Sequence, residues 1–136
     1  EHLINIKDQI KKINPTININ QGKYVPLNIK YFNKELNYLV FSGIGNHRTF
    51  VNMLKDNNLK IVDDLEYPDH YKYSKKDFFE IINKAKKYGA RIITTEKDYL
   101  RLDFFNRKEI FYIKSTLKIV DEKKLEQTLN NLNEAN

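Results

Sequence analysis

Tyr38-Leu39-Val40-Phe41-Ser42 carries no charge and is mostly bulky or β-branched, which suits a strand buried on both faces. Gly43 and Gly45 then permit a turn that β-branched residues cannot make. Asn46 can cap the helix that follows, its side-chain oxygen taking an N–H of the first turn. Helical spacing over about Asn46 to Asp56 turns Phe50, Met53 and Leu54 inward. Leu59 to Leu65 predicts a second strand, and Glu66 to Tyr73 an aromatic and polar loop. Ser74 predicts the next cap, with Asp77 in the first turn, where a negative charge suits the helix dipole. Phe78, Ile81, Ile82, Ala85 and Tyr88 form the predicted inner face, and Lys76, Glu80, Lys84 and Lys87 the outer one. Gly89 ends that helix. Arg91 to Thr95 is the third strand, closed by Glu96-Lys97-Asp98, with a short helix expected over Tyr99 to Phe105. A strand over Ile110 to Ile113, an extended piece over Leu117 to Val120 and a helix over about Asp121 to Asn133 complete the pattern. Leu125, Leu129 and Leu132 make the stripe of that last helix.

Ahead of this unit, Leu3, Ile6, Ile10 and Ile13 mark an amphipathic helix. Asn14-Pro15 ends it, because the residue before a proline avoids the helical region. Thr16 to Asn20 alternates like a half-exposed strand, and Gln21-Gly22-Lys23 turns. Tyr24 to Phe32 is a second extended stretch, where Pro26 suits an edge strand or a linker. Residues 1–36 are therefore expected to form a helix and two-stranded linker arm, and residues 37–136 an α/β domain. Strand followed by helix, repeated, implies parallel strands joined by right-handed crossovers. The expected class is a three-layer α/β/α, Rossmann-like domain with a mainly parallel sheet.

The chain of 136 residues is long enough for one domain with an appended arm. It has no cysteine, which excludes disulfides and thiolate metal sites. No apolar run approaches the ~18 residues of a membrane span. It opens on Glu1-His2 within a helical pattern and without an initiator Met, as expected of a piece of a longer protein. A net charge of +6 fits an anionic partner. It equally fits an AT-rich coding bias, since Lys, Asn, Ile and Tyr are all abundant.

Ligands of an open parallel sheet sit beyond the C-terminal strand ends, which here means Gly43 to His47, Glu66 to Tyr73 and Thr95 to Asp98. Gly43-Ile44-Gly45 is half of a dinucleotide fingerprint, with Arg48 where the third glycine belongs. It can hold an anion at the helix start, or be only a tight turn with a cap. Asp69-His70 suits acid–base chemistry, because a carboxylate can fix an imidazole's tautomer and raise its basicity. The same His can instead pack among Tyr67, Tyr71 and Tyr73, which could also wall a pocket or a lipid-facing surface. Lys97 can contact phosphate, or pair with Glu96 or Asp98. The histidines are too far apart for a metal site, and Gly22-Lys23-Tyr24 is not a P-loop.

Three motifs in order carry a resemblance: Phe41-Ser42-Gly43-Ile44-Gly45-Asn46 with Phe50, Pro68-Asp69-His70 with Tyr73, and Thr94-Thr95-Glu96-Lys97-Asp98 with Arg101-Leu102. Together they resemble the C-terminal half of tetraacyldisaccharide 4'-kinase, the lipid A 4'-kinase of Gram-negative bacteria. Two neighbours depart from the family: His47 stands where proline is usual, and Tyr67 where phenylalanine is usual. The resemblance implies a two-domain kinase that transfers the γ-phosphate of ATP to the 4'-hydroxyl of a tetraacyl disaccharide 1-phosphate. ATP and Mg²⁺ would be held mainly by an N-terminal P-loop domain that lies outside this chain. The enzyme would act on the lipid A disaccharide precursor at the cytoplasmic face of the bacterial inner membrane, with no nucleic acid as partner. His70, with Asp69, would be catalytic, working with an N-terminal aspartate on the attacking hydroxyl. Gly43, Gly45 and Asn46 would face the nucleotide, and Glu96, Lys97, Asp98 and Tyr73 the substrate or the domain interface. Two further classes compete: a non-catalytic nucleotide- or anion-binding module, and a nucleic-acid-binding domain whose affinity would fall steeply with salt.

Overall fold

The computed structural model describes residues 2–102 and 107–134. The elements are α1 (His2–Ile13), β1 (Gly22–Pro26), β2 (Asn37–Ser42), α2 (His47–Asp56), β3 (Lys60–Glu66), α3 (Lys75–Lys87), β4 (Arg91–Thr95), α4 (Glu96–Leu100), β5 (Ile110–Ile113), β6 (Ser115–Ile119) and α5 (Glu122–Glu134). Single 3-10 turns occupy Ile29–Tyr31 and Arg107–Glu109. Two compact units share the chain. One comprises residues 24–116, and the other residues 1–23 with 117–136.

The unit of residues 24–116 is built on a four-stranded sheet in the order β3-β2-β4-β5, and every pairing in it is parallel. Tyr38 to Phe41 are all buried, as a central strand requires. Successive side chains alternate between faces. Tyr38 and Val40 join Phe50, Val51, Met53 and Leu54 of α2 in one cluster. Leu39 and Phe41 join Ile81 and Ala85 of α3, with Leu102, in another. Helices therefore cover both faces, giving the expected three-layer α/β/α architecture. Truncating a fully buried leucine such as Leu39 to alanine removes about 2–5 kcal/mol in such a setting.

Helix α3 begins with a complete capping box between Ser74 and Asp77. Its end is a Schellman arrangement: Gly89, at φ +55°, donates to Lys86 O, and Ala90 donates to Ala85 O. Tyr88, expected on the inner face, is 37% exposed, because the helix has already ended and the chain turns away there.

Other expectations change as well. The short helix starts at Glu96, directly after β4, because Thr95 accepts the Asp98 N–H and caps it. Residues 103–105 of the expected segment lie outside the described residues. No strand forms over Thr16 to Asn20; β1 begins at Gly22 and pairs with β6, from the far end of the chain. Leu27 N–H to Lys114 O and Val120 N–H to Gln21 O bracket that ladder, so the two strands run antiparallel. The apolar stripe of α1 is present in sequence, but Ile6 is 41% and Ile13 87% exposed. Leu129 of α5 is likewise exposed.

Candidate functional site

In chain order the four parallel strands stack second, first, third, fourth. The chain thus winds outward in both directions from the β2–β4 seam, and a crevice opens beyond the C-terminal ends of the strands at such a seam. A cavity of about 480 Å³ lies there, with Asn46, His70, Lys97 and Arg101 on its rim and Phe50, Met53 and Ile113 beneath.

Gly43, just past β2, is buried. A Cβ at this position would stand 3.0 Å from Pro68 O, 3.1 Å from Tyr71 Cβ and 3.2 Å from the Tyr73 hydroxyl. Its role is therefore to let the loop after β3 lie flat on the end of β2. Ser42 O accepts the Tyr67 N–H at 2.9 Å, and Gly43 O accepts the His70 N–H at 3.1 Å. Asp69 Oδ1 also accepts that N–H at 2.9 Å. His70 is held at φ +58°, a left-handed conformation that non-glycine residues adopt only when their surroundings impose it. Its side chain remains 79% exposed.

The imidazole meets the Arg101 guanidinium. Nη2 of that residue lies 3.1 Å from His70 Nδ1, while Nη1 donates to Gly43 O and to Asp98 Oδ1, both at 3.0 Å. Asp69 Oδ2 stands 3.8 Å from His70 Nε2, beyond hydrogen-bond reach. Asp98 is fully buried and also accepts from the Tyr73 hydroxyl at 3.1 Å and the Thr95 hydroxyl at 2.6 Å. A buried carboxylate is tolerated only when paired and hydrogen-bonded in this way. Burial, and then the Asp98 charge, push the Tyr73 hydroxyl far above the usual tyrosine range, so it keeps its proton and donates.

Of the residues singled out in sequence, Asn46, His70, Lys97, Glu96, Gly45 and Asp69 line the cavity. Gly43, Tyr73 and Asp98 lie inside, as the support beneath it. Asn46 accepts the Thr49 N–H and caps α2. Glu96 pairs with Lys114 at 3.7 Å and Asp98 with Arg101, so Lys97 is exposed and makes no ion pair among the described residues. The three tyrosines do not wall the cavity. They pack on one another with centroids 4.9–5.3 Å apart, and Tyr73 meets Phe41 edge-on. Burial, then the charges of Asp77 and Glu80, push the Tyr67 hydroxyl up to about 12.

Two side chains to which the sequence assigned no role gain one in three dimensions. Arg101 is one; its sequence signal is the three-residue spacing from Asp98, which puts both on one helical face. His47 is the other. It is 3% exposed and bridges Ser42 Oγ (2.6 Å from Nδ1) and Asp64 Oδ1 (2.8 Å from Nε2). The neighbouring Asp63 points to the opposite face of the edge strand, where it pairs with Lys84 at 2.9 Å.

The sequence model of one protein family, described as LpxK: Tetraacyldisaccharide-1-P 4'-kinase, matches residues 5–134. A Tetraacyldisaccharide 4'-kinase of Pelagibacter ubique (strain HTCC1062) is 71% identical over all 136 residues, which cover 43% of that protein. One from Rickettsia typhi is 38% identical over 106 residues, 76% of this chain and 32% of that protein. The chain thus spans less than half the length of these curated relatives. The crystal structure of "apo" form LpxK from Aquifex aeolicus in complex with ATP aligns with TM-score 0.47 at 22% identity, over 89% of this chain and 40% of that one.

Proposed function

The chain belongs to the tetraacyldisaccharide-1-P 4'-kinase family, and from that premise we propose that it is the C-terminal α/β domain of an ATP-dependent lipid kinase. Its substrate is the 4'-hydroxyl of tetraacyldisaccharide 1-phosphate, in lipid A biosynthesis. The observation that carries this reading is the convergence of Asn46, His70, Lys97 and Arg101, from successive strand ends, on one open cavity. Phosphoryl transfer depends on positioning and on neutralising phosphate charge. Lys97, exposed and without an ion pair among the described residues, supplies positive charge at the rim, and His70, held by Arg101, supplies a polar group there.

ATP and Mg²⁺ are the groups the family brings. The sequence contains no P-loop, and among the described residues no cluster of three or more acidic or histidine side chains could hold a metal ion. Mg²⁺ and the nucleotide are therefore assigned mainly to a partner domain that carries the P-loop. Gly45 and Asn46 are the groups of this chain placed to approach its phosphates. The enzyme works as a peripheral protein at the cytoplasmic face of the inner membrane. No helix among the described residues is long and apolar enough to cross a bilayer.

The test is a 4'-kinase assay on the full-length protein that carries this chain, with ATP and tetraacyldisaccharide 1-phosphate. His70→Ala is expected to lower kcat by about 10²-fold or more, with the melting temperature little changed because the side chain is exposed. A His70→Ala enzyme at wild-type rate would remove His70 from the reaction.

A further inference from the structure

Resting on the kinase reading above, we propose that Arg101 is a positioning residue for His70. It fixes the imidazole in the tautomer with its proton on Nε2, so that His70 meets the reacting groups as an N–H donor and not as a base.

The donor inventory forces the assignment. A guanidinium has five N–H donors and no acceptor. With Nη2 of Arg101 at 3.1 Å from His70 Nδ1, that nitrogen takes part through its lone pair, and the proton of the neutral ring sits on Nε2. Asp69 Oδ2, 3.8 Å from Nε2, is too far for a bond but lies on the side that favours a proton there. The guanidinium cannot swing away at little cost. Its other arm is engaged by Gly43 O and by Asp98 Oδ1, on a fully buried carboxylate. Gly43 O also accepts the backbone N–H of His70, so both residues hang from one carbonyl oxygen.

With Nδ1 occupied and Nε2 protonated, the ring has no lone pair to offer. The proton of an attacking hydroxyl must then go to a base other than His70. What His70 contributes is a directed hydrogen bond from Nε2 to an oxygen in the cavity. A lysine at position 101 would keep a cation against Asp98 but lacks the planar fork that reaches Asp98, Gly43 and His70 together.

Two measurements on the full-length protein test this. The first is a ¹⁵N spectrum of histidine-labelled enzyme, with His70 assigned by its loss in His70→Gln. Pyrrole-type Nε2 and pyridine-type Nδ1 are expected, with Arg101→Lys shifting the ring toward a tautomer mixture. A wild-type proton on Nδ1 overturns the proposal, and this result does not depend on any Arg101 variant folding. The second is steady-state kinetics. Arg101→Lys should lower kcat about tenfold and leave KM within about twofold. His70→Gln, whose amide carries an N–H donor, should retain about tenfold more kcat than His70→Ala. Equal loss in His70→Gln and His70→Ala overturns the donor role. If His70→Ala itself runs at wild-type rate, the kinase assignment of His70 fails, while the spectrum still decides whether Arg101 sets the tautomer.

Discussion

Glycine at position 43 and histidine at position 47 show how single residues hold the site up from beneath. A Cβ on residue 43 meets backbone and side-chain atoms at 3.0–3.2 Å, so a branched side chain has nowhere to go. Gly43→Val is expected to cost about 1–3 kcal/mol through overpacking, seen as a melting temperature lower by about 5 °C. Its His70 loop should loosen first, and an unchanged melting temperature would contradict the packing described. His47 ties the start of α2 to the end of β2 and to β3. His47→Leu leaves the buried Ser42 hydroxyl without its partner, a loss of about 1–3 kcal/mol. Adding Ser42→Ala should then restore part of the urea midpoint, since removing both partners can be nearly neutral. A double variant as unstable as the sum of the singles would show the bridge to be idle.

At the scale of elements, α3 is the piece whose stability answers to pH. The Ser74 hydroxyl and N–H, which donate to its carboxylate at 2.6 and 2.7 Å, hold Asp77 below the usual carboxylate range. The hydrogen bond from Lys84 does the same for Asp63. A carboxylate whose folded value is depressed adds stability above its unfolded value, near 4. That stability is lost as pH falls through the lower folded value. Ser74→Ala should therefore lower stability at pH 7 by about 1 kcal/mol and do less at pH 3. Lys84→Met should follow the same trend. Urea midpoints at the two pH values check both, and an equal deficit at each pH would refute the linkage.

For the whole molecule, the chain spans less than half the length of its curated relatives, and its cavity is open at the rim. The 136 residues alone are expected neither to hydrolyse ATP nor to phosphorylate the lipid above a His70→Ala control; turnover clearly above that control would refute the division between domains. Much of the architecture could be read from the sequence. The charge-free run at Tyr38 to Ser42 had to be central, because only a strand covered on both faces hides such residues. Asn46, Ser74 and Gly89 marked helix ends, because capping is local chemistry that depends on neighbours within a turn. The order of the three loop motifs likewise placed Asn46, His70 and Lys97 at strand ends. The sequence could not tell whether the apolar stripe of α1 finds a cover, or that β1 pairs with a strand about 90 residues away, because those depend on contacts distant in the chain. Nor could it separate Asp69 from Arg101 as the partner of the His70 ring, although Asp69 is adjacent and Arg101 is not. Covalent neighbours share a backbone, but a side chain's hydrogen bonds are decided by direction in space, and only the pairing of β4 beside β2, with α4 directly after β4, brings that guanidinium to the ring.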